Sequence, residues 1–361
     1  MTATTRWAMR TPNRLPIVTR RPFGLSPRIL PAHPQLEYDE LLSGWIAALA
    51  RANRTKVHTL CSSIGGNQHT IWNRDIDRLV PPLLVAELAE LTGVAAERIE
   101  RSSLKYIADC IEHDHHPYGN GTWLLPLGVW HRKRRRYGVQ FCSICLRMDS
   151  RPYVRRSWRL AYYTECEHHH VLLQDSCPQC GAPFNYFRGE LGHRSLRRSP
   201  PISLCSNCYC NLAYLPVDRY EWPDRQLTAA TRTLQFMNDF GFAVLGPRFY
   251  EPAHELLAAL RTVITTISSP SRSGQLYDAI AQELWPEGAL VLSHRGLQFE
   301  MRPLLERHRL FGMAVWLMLE WPNRFERVTR NSGIYLSSLT KDAKYLPRWY
   351  TSQIEAMQGR H

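Results

Sequence analysis

The chain has 361 residues, enough for two or three domains with cores that need no disulfides. Its 45 Lys and Arg against 32 Asp and Glu give a net charge of +13, an imbalance suited to a polyanionic partner. The best membrane candidate, Phe311 to Trp321, is too short to span a bilayer and reads as a buried helix. Met1 to Arg21 has arginines but no continuous apolar segment, so no secretory signal is expected. Ten cysteines, mostly in metal-ligand spacing, point to a reducing compartment, and the expectation is a soluble, cytoplasmic protein.

Residues 1–35 carry Pro12, Pro16, Pro22, Pro27, Pro31 and Pro34 with little apolar periodicity, and read as an extended arm. Residues 36–125 read as a small helical domain. Tyr38, Leu41, Leu42, Trp45, Ile46 and Leu49 recur at helical spacing from about Asp39 to Asn53, and a shorter helix runs through Val57, Leu60 and Cys61 to Gly65. Pro81-Pro82 then opens a helix through Leu83, Leu84, Leu88 and Leu91, Gly93 makes a corner, and Ala95 to Ile99 forms a second helix. Ala89 and Gly93 have the spacing of a helix-turn-helix corner, where small residues allow close approach. The run Glu112-His113-Asp114-His115-His116 has ligand-type side chains, yet beside Pro117 and Gly119 it reads as an exposed loop.

Residues 126–215 hold four pairs of metal-type residues: Cys142 and Cys145, Cys166 and His169, Cys177 and Cys180, Cys205 and Cys208. Two ligands separated by two residues can grip one ion from a single tight turn, and a tetrahedral zinc ion needs four, so four half-sites make two structural zinc sites. Taken in order, the first site is Cys142, Cys145, Cys166 and His169, and the second is Cys177, Cys180, Cys205 and Cys208. His168 or His170 in place of His169, Cys210 in place of Cys208, and a cross-braced pairing all satisfy the same spacing. Cys61 and Cys110 read as core residues. The strip Arg132, Lys133, Arg134, Arg135, Arg136 precedes the first pair, and Arg151, Arg155, Arg156, Arg159, Arg188, Arg194, Arg197 and Arg198 decorate the region. Arginine in this excess favours bidentate pairing with phosphate or carboxylate. The strip, Arg155, Arg156, Arg197 and Arg198 are therefore the candidate contacts to nucleic acid or an acidic partner.

Residues 216–361 read as a helical bundle with helices over Asp224 to Leu245, Ala253 to Ser268, Gln275 to Trp285, Met301 to Glu320 and Lys341 to Met357, and a core of Leu305, Leu310, Met313, Ala314, Trp316, Leu317 and Trp321. The fold class expected is mainly α: an N-terminal helical domain with a helix-turn-helix, a central tandem zinc-ribbon-like region and a C-terminal bundle. No phosphate-binding loop, GxSxG elbow or HExxH helix occurs, and Asp75, Asp77, Asp109 and Asp114 lack the spacing of a nuclease centre. Sites closed by four protein ligands favour structure over hydrolysis, so no enzyme activity and no catalytic residue is expected.

The segment Tyr38-Asp39-Glu40-Leu41-Leu42-Ser43-Gly44-Trp45-Ile46 resembles the opening helix of the TniQ/TnsD family of transposition target-selection proteins. Cys142, Cys145, Trp158, Cys166, His169, Leu172, Cys177, Cys180 and Gly181 reproduce that family's zinc block in order, and Trp321-Pro322-Asn323-Arg324-Phe325 is similar to its tryptophan-proline element. Gly44, and Glu167 where proline is common, depart from the pattern without removing a ligand. The resemblance implies a non-enzymatic adaptor that marks an insertion site, on DNA directly or through an RNA-guided CRISPR effector of Cascade type, and recruits an AAA+ ATPase and transposase. It further implies a short form delivered by a partner, with a homodimer as an option. The alternative reading is a zinc-containing helix-turn-helix transcription regulator that binds an operator directly.

Overall fold

A computed structural model describes residues 29–65, 75–111, 121–127, 138–187, 200–245, 249–269, 273–285, 297–341 and 343–359. It is mainly helical. The expectations for most of the arm, for Glu112 to His116, for the strip Arg132 to Arg136 and for Arg188, Arg194, Arg197 and Arg198 fall outside the described residues.

The N-terminal part comprises α1 (Leu42–Ala52), α2 (Val57–Gly65), α3 (Ile76–Leu79), α4 (Pro82–Thr92), α5 (Ala96–Arg101) and α6 (Lys105–Ile111). Leu41, Leu42, Trp45, Ile46 and Leu49 are buried as the periodicity demands. Tyr38 is not on that face; it lies in a turn ahead of the helix and is 84 % exposed. Gly44 has a steric reason: a Cβ there would sit 3.0 Å from Val154 Cβ, so glycine lets α1 press against the central region. Gly93 caps α4 in the left-handed conformation (φ 70°) and donates its N–H to Ala89 O at 2.9 Å, which turns the chain sharply into α5. This is the expected helix, corner and helix, with Glu97, Arg98, Glu100 and Arg101 outward on a short second helix.

Among its described residues the central region has one α-helix, α7 (Ser143–Met148), 3-10 turns at Arg156–Arg159 and Leu212–Tyr214, and otherwise irregular backbone tied by single bridges such as Phe141 with Gln174 and Glu165 with Leu172. It is joined to the N-terminal helices by ion pairs as well as apolar packing. Arg151 grips Glu40 with two nitrogens at 2.8 and 2.7 Å. Arg155 pairs with Asp149 and with Asp39. Arg159, fully buried, bonds Asp75, Asp77 and the Leu125 carbonyl. Asp77 in turn accepts from the Ser43 N–H at 2.8 Å and its hydroxyl at 2.7 Å, and the Ser43 hydroxyl meets Tyr186 Oη.

Burial is the largest influence on Asp77 and the Asp75 carboxylate adds to it, so its pKa rises to about 6 despite Arg159. A carboxyl with a folded pKa above its unfolded value binds more protons folded than unfolded. Its contribution is therefore fully present below the unfolded value near 4 and is lost as pH rises through 6. A series of urea midpoints against pH should show this falling component between about pH 4 and 6, and Asp77→Asn should remove it.

The C-terminal part contains α8 (Arg225–Gln235), α9 (Met237–Phe240), β1 (Phe242–Val244), β2 (Tyr250–Pro252), α10 (Ala253–Ser268), α11 (Ser273–Leu284), α12 (Leu304–Met318), α13 (Asn323–Ser332) and α14 (Arg348–Gln358). The helix expected over Asp224 to Leu245 is interrupted. Gly241 (φ 71°) stops α9, and β1 pairs antiparallel with β2, Ala243 opposite Glu251. α10 packs on α11 and α12, and α13 closes over both α11 and α12. Leu310, Met313, Ala314 and Leu317 form the expected core, whereas Leu305 is 38 % exposed. The Trp321–Pro322 peptide is cis, and Trp321 packs on Phe325, Trp349 and Tyr350. α12 also reaches the central region. Arg307, wholly buried, donates to the Ala161 carbonyl at 2.6 Å and to Gln140 Oε1 at 3.2 Å, while Glu300 accepts from the Trp123 N–H.

Candidate metal centres

Three of the four metal pairs lie on the same backbone knuckle. In each, the N–H of the residue four beyond the leading cysteine donates to that cysteine's carbonyl: His170 to Cys166 at 2.8 Å, Gly181 to Cys177 at 2.8 Å, Tyr209 to Cys205 at 3.0 Å. The cysteine N–H donates one residue farther, to Val171, Ala182 and Cys210. This double bond folds the pair tightly enough to aim both side chains inward, and it forces the residue after the second ligand to positive φ: His170 49°, Gly181 69°, Tyr209 58°. The remaining pair is built differently, with Cys142 preceding α7 and Cys145 in its first turn.

The first centre brings together Cys142, Cys145, Cys166 and His169. His169 Nδ1 lies 3.6, 3.4 and 3.5 Å from the sulfurs of Cys142, Cys145 and Cys166, and the Cys145 and Cys166 sulfurs are 3.6 Å apart. An ion about 2.3 Å from sulfur and about 2.0 Å from nitrogen in a tetrahedron would set the nitrogen–sulfur edges at about 3.5 Å and the sulfur–sulfur edges at about 3.8 Å. The second centre brings together Cys177, Cys180, Cys205 and Cys208, with edges of 3.6 Å between Cys177 and Cys208 and 3.7 Å between Cys180 and Cys205. Both fit one metal ion. The donors pair in sequence order, without cross-bracing. His168 and His170 turn outward toward Glu167 and Glu165, and Cys210 supplies its carbonyl to Cys205, so none of the three replaces a ligand.

Three thiols this close compete for one another's protons. Hydrogen bonds with Cys145 and Cys166 hold the Cys142 thiol far below its usual range, whereas the bond with Cys142 raises Cys145 and pushes Cys166 up to about 12. A central divalent cation resolves that competition, since every coordinating sulfur is then a thiolate.

The knuckle geometry makes a direct prediction. Left-handed backbone costs a side-chain-bearing residue roughly 1–2 kcal/mol and glycine almost nothing. Tyr209→Gly should raise the urea midpoint of the metal-loaded protein by an amount on the order of 1 kcal/mol, and Gly181→Ala should lower it by a similar amount.

The arginines divide into two kinds. Arg155, a candidate for nucleic-acid contact on sequence grounds, is only 4 % exposed. Its guanidinium is spent on Asp149 and Asp39 and lies 4.3 Å from the Tyr153 ring centroid, so it presents no free edge to a phosphate. Arg156 is half-buried, donating to the carbonyls of Arg101 and Tyr38. Arg151, Arg155 and Arg159 thus take the carboxylate branch of the reading that an arginine excess allows. Sequence reasoning missed their partners Glu40, Asp39, Asp75 and Asp77; an acid inside an apolar helical run, as at Glu40, is the signal that was there to use.

Among the described residues no helix is long and apolar enough to cross a membrane. No curated protein matches the chain. The TniQ family model matches residues 31–173, which take in the N-terminal helices and the whole of the first centre while the second centre follows the matched stretch. Over that stretch, with its opening helix and four-ligand cluster in place, the chain is similar to the TniQ family.

Proposed function

We propose that this protein is a non-enzymatic adaptor for transposition target selection, linking target DNA or an RNA-guided effector of Cascade type to an AAA+ regulator and its transposase. The TniQ match over residues 31–173 carries this reading, because membership of that family supports a transposition-associated adaptor role. Zinc is the ion we assign to both centres: three thiolates with one imidazole, and four thiolates, are donor sets it favours, and all four positions are taken by protein, as in structural sites. We assign partner contacts to the arginine strip, the helix-corner-helix of α4 and α5, and the C-terminal bundle.

With Arg155 and Arg159 turned inward, the candidate phosphate contacts that remain are Arg132, Lys133, Arg134, Arg135, Arg136, Arg156, Arg197 and Arg198. Replacing Arg132 to Arg136 with alanine should abolish targeted insertion in a reconstituted reaction while folding and metal content stay unchanged. Lost phosphate contacts should also flatten the salt dependence of DNA binding. Unchanged insertion would reject that role for the strip, and insertion that proceeds with the protein omitted would reject the adaptor reading itself.

A further inference from the structure

A groove crosses the junction of the N-terminal helices, the central region and α8–α9. At one end it is a cavity of about 370 Å³ whose lining includes Tyr38, Asp39, Tyr153, Glu167, Phe236 and Asp239. An adjoining cavity of about 650 Å³ shares Tyr38, Arg156 and Asp239 with it and continues past Tyr106. Both volumes fall in the range of small-ligand pockets. The groove's rim is aromatic and open to water: Tyr38 is 84 % exposed, Tyr106 56 % and Phe236 45 %. Contiguous exposed apolar surface of this kind marks an interaction site.

Its floor carries charge of the wrong sign for this protein. In a chain of net charge +13, Asp39, Glu167 and Asp239 line one cavity. Asp39 is matched by Arg155 and Tyr153. Glu167 lies 3.6 Å from His168, clusters with the Asp39 carboxylate and also feels the Arg155 charge. Arg156, held by the Arg101 and Tyr38 carbonyls and lying over the Tyr38 ring, offsets Asp239 only in part, and across both cavities five carboxylates, Glu37, Asp39, Glu97, Glu167 and Asp239, outnumber the three guanidiniums of Arg98, Arg101 and Arg156. Carboxylates between aromatic faces suit a guanidinium, which pairs with carboxylate in its plane and stacks on rings through its face. The same carboxylates repel a phosphate backbone, so the occupant is peptide and not nucleic acid.

We propose that this groove seats an extended, arginine-bearing segment of a partner protein, its guanidinium entering past the exposed Phe236 ring to face Glu167 and Asp239. The proposal deepens the adaptor reading and rests on it for the existence of a partner. The peptide measurement tests the groove alone, and the insertion assay above tests the adaptor role, so each can fail without the other.

The probe is a fluorescein-labelled ten-residue peptide of alternating arginine and alanine, titrated with the metal-loaded full chain by anisotropy. Binding is expected to weaken at least tenfold when citrulline replaces arginine in the peptide, and at least tenfold in Glu167→Gln/Asp239→Asn protein with unchanged metal content. Because Glu167 adjoins a metal ligand, Phe236→Ala/Asp239→Asn serves as a second variant away from both centres, with at least fivefold weakening expected. Equal affinity for the citrulline peptide, unchanged affinity in the second variant, or a loss of binding to a single-stranded oligonucleotide in place of the peptide would overturn the proposal.

Discussion

Stripping the metal should unfold the middle of the chain outright. Cys145→Ser should lower the metal content from two ions to one and abolish the cooperative transition of residues 138–187, and chelation of both ions should do the same for 138–215. The segment around the first centre has one short α-helix, one 3-10 turn and a few single bridges, too little backbone pairing to order it alone. Its ligands arrive from two segments, 142–145 and 166–169, which converge at the four-ligand cluster. Structural zinc in comparable small sites contributes roughly 10–16 kcal/mol of apparent binding energy, as large as the whole stability of an ordinary domain, roughly 5–15 kcal/mol. Metal analysis, limited proteolysis and near-ultraviolet circular dichroism read the effect together. A metal-free protein that keeps the protease resistance of this segment would refute it.

The second large effect is at Arg159. Arg159→Met should destabilise the protein by roughly 3–5 kcal/mol, the loss typical when one member of a buried charge group is removed and the others stay. Asp77 is fully buried and Asp75 largely so, and both lose their cation at once. Ser43 still donates to Asp77, but a hydroxyl and an amide do not offset a missing charge. Adding Asp77→Asn to Arg159→Met should recover part of the loss, since the stranded carboxylate is then neutral. Urea midpoints of the wild type, both single variants and the double variant complete the cycle, and a single-variant loss below 1 kcal/mol would contradict the assignment.

What the sequence made legible followed the range of the interactions. Each candidate ligand pair was readable because it spans only four residues, and in three of the four pairs a knuckle is closed by bonds four or five residues long. The same locality exposed α4, with proline in its first turn and glycine at its end, and α10, which runs over Ala253–Ser268 as its periodicity dictates. The arginine partners were not readable, since Arg151 meets Glu40 across 111 positions and Arg159 meets Asp77 across 82. The hairpin of β1 and β2 escaped because three residues per strand are too few for an alternation to register. α13 escaped for another reason. Its sequence is mostly polar, and only Phe325 and Val328, three positions apart, mark the face that α11 and α12 bury.

Arg307 joins parts of the chain far apart in sequence. It is anchored in α12, yet its guanidinium ends on the carbonyl of Ala161, five residues before Cys166, and on Gln140, two before Cys142. A tilt of α12 therefore pulls on backbone leading into both halves of the first centre, and a load applied to the metal-bound loops is felt in the bundle. The centre works as a rivet through which a grip at one end of the molecule is passed, without slack, to the other.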